Sequence, residues 1–98
     1  MAKYLAMWEV DTTRVPVNPK ERSEGWSLLL NMVKQDMTRG PTKDWGAFVG
    51  TINGYCIFDG DDSQIHAAVQ QYVPFASFKL YPLISLDKVV EVVKSLGK

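Results

Sequence analysis

The stretch Asp44 to Asp62, DWGAFVGTINGYCIFDGDD, decides the fold, because it divides into two apolar runs around Asn53-Gly54. An Asn-Gly pair is the preferred chemistry of a two-residue type I′ hairpin turn, in which both central residues need positive φ. Such a turn sets a register: Ile52 opposite Tyr55, Thr51 opposite Cys56, Gly50 opposite Ile57, Val49 opposite Phe58 and Phe48 opposite Asp59. One face then carries Ala47, Val49, Thr51, Cys56 and Phe58, and the other Phe48, Gly50, Ile52, Tyr55 and Ile57. A sheet with one solvated face alternates apolar with polar residues, whereas both faces here are largely apolar, so the hairpin is expected to be covered on both sides.

Outward from the hairpin, Lys3 to Asp11 alternates Tyr4, Ala6, Trp8 and Val10 with Leu5, Met7 and Glu9, the pattern of an interior strand. Thr12 to Val17 contains Pro16 and no period, and reads as a connection. Asn18-Pro19-Lys20-Glu21 is a helix start, with Asn18 as cap and Pro19 at N1. The stripe Trp26, Leu29, Leu30, Val33 and Met37 follows, and Gly40-Pro41 ends it. Asp61 with Gln64 forms a capping-box pattern ahead of Ile65, Ala68, Val69 and Tyr72, and Pro74 stops that helix. Phe75 to Ile84 is a strand with Ala76, Phe78, Leu80, Pro82 and Ile84 on one face and Ser77, Lys79, Tyr81 and Leu83 on the other. Pro82 places it at a sheet edge. Ser85 caps a last helix that is expected to carry Leu86, Val89, Val90 and Val93 inward. Helices are thus predicted near residues 19 to 39, 62 to 73 and 86 to 96.

The order β-α-β-β-α-β plus a terminal helix is a ferredoxin-like α+β arrangement with a four-stranded antiparallel sheet, over one domain spanning residues 1 to 98. Right-handed crossovers make the first and third strands central and put both crossover helices on one face. The opposite face is left bare yet apolar. Burying several hundred Å² of it contributes on the order of 10 kcal/mol before association costs, so a homodimer through the helix-free face is expected.

Eleven basic and eleven acidic residues balance to zero, which removes the electrostatic term on which non-specific nucleic-acid binding depends. WGAFVG matches an RNA-reading signature neither in spacing nor in place, since those aromatics belong on the strand before the second helix. The N-terminal run is too short for a signal sequence, and no stretch reaches the ~20 apolar residues of a membrane span. The expectation is a cytoplasmic protein with no nucleic-acid or membrane partner. Cys56 is the only cysteine and reads as a small buried hydrophobe. Asp59, Asp61 and Asp62 lack the spacing and the twelfth-position glutamate of a calcium loop and read as a strand end and a helix cap. No metal site and no cofactor is expected. His66, the only histidine, lies beside its helix's apolar stripe and is expected at the surface.

The segments KYLAMWEVD, DWGAFVG, GYCIFDGDD and FKLYPLISLDKVVEVV resemble the dimeric α/β-barrel superfamily, in which two ferredoxin-like sheets close face to face. The ending is similar to that of small bacterial and archaeal members of unknown function, which carry an F-x-V-x-P-V pattern in the last strand. That resemblance implies a homodimer and a pocket between helices and barrel sheet. The superfamily includes cofactor-free monooxygenases, haem-degrading enzymes, polyketide cyclases and stress-response proteins. Its catalytic members commonly line the pocket with strand histidines or asparagines. Tyr4 stands where cyclase-like members resemble one another in a histidine, and no strand here carries histidine.

Two functions follow as expectations. The first is a non-catalytic homodimer, structural or binding a small hydrophobic or aromatic ligand. The alternative is a cofactor-independent, monooxygenase- or cyclase-like enzyme for an aromatic or polyketide-like substrate, with Tyr4, Tyr81 or Lys79 moving a proton. The ligand-pocket candidates are Tyr4, Trp8, Lys79 and Tyr81, with Trp8 and Tyr4 placed on the helix-free face and Leu5 and Met7 against the helices.

Overall fold

A computed structural model describes residues 2–98. Its elements are β1 (Ala2–Val10), α1 (Pro19–Arg39), β2 (Thr42–Ala47), β3 (Asn53–Gly60), α2 (Asp62–Gln70), β4 (Ala76–Pro82) and α3 (Leu86–Leu96), with a single 3-10 turn at Thr12–Arg14. The four strands form one antiparallel sheet in the order β2-β3-β1-β4. This is the ferredoxin-like βαββαβ arrangement, with β1 and β3 central. Pro82 is the last residue of edge strand β4, where its missing N–H breaks no ladder.

The helix starts obey local chemistry. Asn18 Oδ1 accepts from the backbone N–H groups of Lys20 and Glu21 at 2.9 and 3.2 Å. Asp61 accepts from Gln64 N at 2.8 Å while Gln64 Oε1 accepts from Asp61 N at 3.1 Å, a complete capping box. Ser85 Oγ accepts from Lys88 N at 3.3 Å. The Asp61 carboxylate is thus committed to a helix cap.

The hairpin does not turn at Asn53-Gly54. The chain reverses three residues earlier, through Phe48-Val49-Gly50-Thr51, closed by Thr51 N–H donating to Phe48 O at 3.1 Å. Gly50, with φ +79°, occupies the third position, where a turn of this kind needs positive φ. Thr51 Oγ1 ties the loop to Phe48 O and to Asn53, and Asn53 begins β3. The observed pairs are Ala47 with Gly54, Gly46 with Tyr55 and Trp45 with Cys56, with an irregularity between Thr42 and Asp44. The register differs from the Asn-Gly expectation by six residues, an even number. Ala47, Cys56 and Phe58 therefore keep their common face, while Val49 moves from a supposed core position to a fully exposed loop.

The face assignment of β1 is reversed from the expectation. Ala6 and Trp8 are buried, in one cluster with Cys56, Phe58, Ile65 and Ala68, and Tyr4, Val10, Trp45, Phe78 and Leu80 pack around it. The Tyr4-Ala6-Trp8-Val10 side of β1 is therefore the helix-covered side, and Leu5 and Met7 look out from the bare face. Packing volume decides the matter. Ala6, Gly54 and Ala68 leave room for large rings beneath the helices, whereas Leu5 and Met7 sit beside Tyr81 and Lys79 in the β1–β4 ladder.

The third helix departs furthest from expectation. Leu86, Val89, Val90 and Val93 were expected to point inward, yet no residue of α3 is buried; Leu86 is 77% and Leu96 79% exposed. The chain measures 62 × 27 × 18 Å with a radius of gyration of 16.5 Å, against roughly 13 Å for a compact chain of about 100 residues. Among the described residues, no helix is long and apolar enough to cross a membrane.

Candidate functional site

A predominantly apolar cavity lies between α1 and the helix-covered face of the sheet, with a volume of about 240 Å³. Its roof is the α1 stripe Trp26, Leu29, Leu30 and Val33, the 3.6-residue period legible in the sequence. Its floor is formed by Trp8, Trp45, Cys56, Phe58 and Phe78, and its mouth by Thr51 and Ile52 at the β2–β3 loop. Trp26 and Leu30 remain partly exposed, because the roof stands off the floor by the width of the cavity.

The floor is built around an absent side chain. Gly54 is the cross-strand partner of Trp8, and a Cβ there would collide with the Trp8 ring and with the Gly46 carbonyl oxygen. The glycine is needed for close approach, not for a turn. In the space it leaves, the Trp8 indole stacks on Trp45 with centroids 5.1 Å apart and planes 11° from parallel. Trp8 Nε1–H donates to Tyr55 O at 3.0 Å. A flat, two-ring aromatic wall, with the Trp8 N–H already bonded, therefore faces the cavity.

A second constellation closes one end. Asp36, buried in the last turn of α1, accepts from the Tyr72 hydroxyl at 2.6 Å and from Gln71 Nε2 at 3.1 and 3.3 Å. Burial, and then the hydrogen bond to Asp36, push the Tyr72 phenol well above its ordinary range, so its proton stays in place. Burial also pushes the Cys56 thiol up to about 12, with the Asp36 charge adding to it. Cys56 and Tyr72 are the ionisable groups lining the cavity, and both are held neutral. Among the described residues, no buried side-chain nitrogen or oxygen lacks a hydrogen-bond partner, and no cluster of three or more histidine, cysteine, aspartate or glutamate residues could hold a metal.

The four sequence-derived candidates do not form one site. Trp8 is in the cavity wall, but on the helix-covered side and not on the bare face. Tyr4 shares that side yet lies outside the cavity, its hydroxyl donating to Asp62 at 3.4 Å. Lys79 and Tyr81 lie on the opposite face of the sheet, exposed, beside Met7 and Leu5. Trp45, Trp26, Tyr72 and Asp36 complete the region, and reading from strand and helix periods missed their convergence. Signals existed: Trp45 shares strand parity with Ala47, and Asp36 interrupts the α1 stripe three residues after Val33 with a carboxylate. His66 is exposed on α2, as its position beside the stripe implies.

No protein-family model matches the chain, and no curated protein is significantly similar to it.

Proposed function

We propose that this chain is a binding protein that holds a small, mainly apolar, flat molecule of one or two rings beneath α1, and that it works as a homodimer through its helix-free sheet face. The observation that carries the ligand reading is the cavity itself. At about 240 Å³, it exceeds the ~150 Å³ apolar cavity that takes benzene. Its floor is aromatic and stacked, and the polar groups of Trp8 and Tyr72 are already bonded within the protein. An occupant gains contact area and ring stacking without having to match unsatisfied donors.

Binding is favoured over catalysis by the same chemistry. A general acid or base needs a pKa near the working pH, whereas Cys56 and Tyr72 are displaced away from it. Tyr4, Lys79 and Tyr81, which could move protons, lie outside the cavity. The resemblance to dimeric α/β-barrel proteins supports a pocket between helices and sheet, and the apolar Leu5, Met7 and Ile57 on the bare face support a second copy there. Thermal-shift screening with benzene, indole, naphthalene and their hydroxylated derivatives tests the ligand reading. Stabilisation by the bicyclic compounds, lost in Trp45→Ala, is expected; no shift with any of them, or an equal shift in Trp45→Ala, would overturn it.

A further inference from the structure

The C-terminal helix is the least supported element of the protomer. α3, LDKVVEVVKSL, has 11 residues, four of them valine. A helix of this length is marginal in isolation, and β-branched residues lower its propensity further. Its stability must come from an apolar face laid against something. That face exists: Leu86, Val89, Val90, Val93 and Leu96 form one stripe, with Asp87, Lys88, Glu91, Lys94 and Ser95 opposite, and the stripe is open to solvent.

The chain leading into α3 limits where the stripe can go. Leu83 N–H donates to Lys3 O at 2.8 Å, so the backbone follows the β1 ladder one residue past Pro82 and leaves at the end of the sheet. Leu83, Ile84 and Ser85 separate β4 from α3. Three extended residues span roughly 10 Å, close to the ~10 Å between two face-packed sheets. That reach is long enough for α3 to cross from its own sheet layer to the layer of a sheet stacked on the helix-free face.

We infer that α3 is an exchanged arm, docking its valine stripe on a second copy of this chain. The inference rests on the homodimer proposed above and names the part that locks it. One protomer leaves two apolar surfaces without a partner, the helix-free face and the α3 stripe. A two-fold axis covers all four in a dimer at once, because such an interface is self-complementary and closes. A membrane surface is the poorer occupant. The polar side of α3 balances Lys88 and Lys94 against Asp87 and Glu91 and carries no tryptophan or phenylalanine flank, whereas interfacial helices have a strongly basic polar face.

The test compares full-length wild type with the double variant Val89→Lys/Val93→Lys by sedimentation equilibrium and far-ultraviolet circular dichroism, with Lys88→Ala as the polar-face control. Lysine has the higher helix propensity, so lost helicity reports lost docking and not a poorer helix former. The wild type and the control are expected to be dimers at micromolar concentration. The double variant is expected to lose at least about 30-fold in dimer affinity, the scale of one hot spot, together with α3 helicity, while keeping the near-ultraviolet signal of the stacked tryptophans. A benzophenone carried on Leu96→Cys is expected to give a covalent dimer. A wild-type dimer that the double variant leaves intact would overturn the arm and spare the dimer; a monomeric wild type would overturn both. Crosslinks only within one chain, or α3-dependent binding to phosphatidylcholine–phosphatidylserine vesicles, would also overturn the arm.

Discussion

The two faces of the sheet draw on the same strands and nearly the same hydrophobicity, yet one closes over a core and the other stays open. On the covered face, β1 and β3 alternate large rings with very small residues: Tyr4, Ala6, Trp8 and Val10 against Gly54, Cys56, Phe58 and Gly60. On the bare face, Leu5, Met7 and Ile57 are of similar middling size and half-buried, and the Tyr55 ring over Gly46 is the one comparable contrast among these positions. Size contrast, more than apolar character, distinguishes a face that must interlock with helices from one that can meet a flat partner.

The strongest way to break that comparison is to truncate one residue from each face. Trp8→Ala is expected to destabilise the protein by about 3–5 kcal/mol in urea unfolding, because it removes the stacked ring and its bond to Tyr55 O. Met7→Ala is expected to cost about 1 kcal/mol or less when both proteins are compared at the same concentration. Equal losses would mean that the faces do not differ in role.

Next in size is the Asp36 junction. Asp36→Ala leaves the buried Tyr72 hydroxyl without its acceptor and frees Gln71, an expected loss of about 1–3 kcal/mol. Asp36→Asn retains an acceptor and is expected to lose less. If both variants unfold at the wild-type midpoint, the junction does not tie α1 to the end of α2.

Alkaline pH sharpens the same contrast more gently. Burial pushes the folded Cys56 thiol up to about 12, above its ordinary value of 9.0, so the folded state holds the proton more tightly than the unfolded chain does. The resulting stabilisation is complete below about pH 9 and is lost as pH rises toward 12, and Tyr72 acts in the same direction. Unfolding free energy should therefore fall through this window, with a shallower slope in Cys56→Ala. A thiol reagent at mildly alkaline pH should modify Cys56 only at the rate of unfolding. Rapid labelling of the native protein would contradict its burial.

Much of this architecture was legible in the residues, and the misreadings have identifiable causes. Asn18, Asp61 and Ser85 marked the helix starts because capping is local chemistry, and Pro82 marked an edge because a missing donor is local too. The hairpin misled because Asn53-Gly54 has the composition of a type I′ turn, while Gly50 three residues earlier supplies the positive φ and Gly54 is required by the Trp8 ring. Alternation separates two faces but does not say which one meets the helices. Tyr4 and Trp8 therefore lie on the opposite side from the one their alternation suggests, with Lys79 and Tyr81 across the sheet from them. The Trp45 and Asp36 contributions depend on contacts between elements distant in sequence, which no single period displays. The α3 stripe is amphipathic, as its period implies, but it is not buried within the chain as that period suggests.

The central claim is that the helix-covered face receives a small flat ligand and the bare face does not. Titrating naphthalene into the full-length protein while recording proton–nitrogen NMR spectra tests it directly. Saturable shifts of the Trp8, Trp26 and Trp45 indole N–H signals are expected, with the amides of Leu5, Met7, Lys79 and Tyr81 unmoved. Shifts confined to those four amides, or no saturable shift of the indoles, would contradict it.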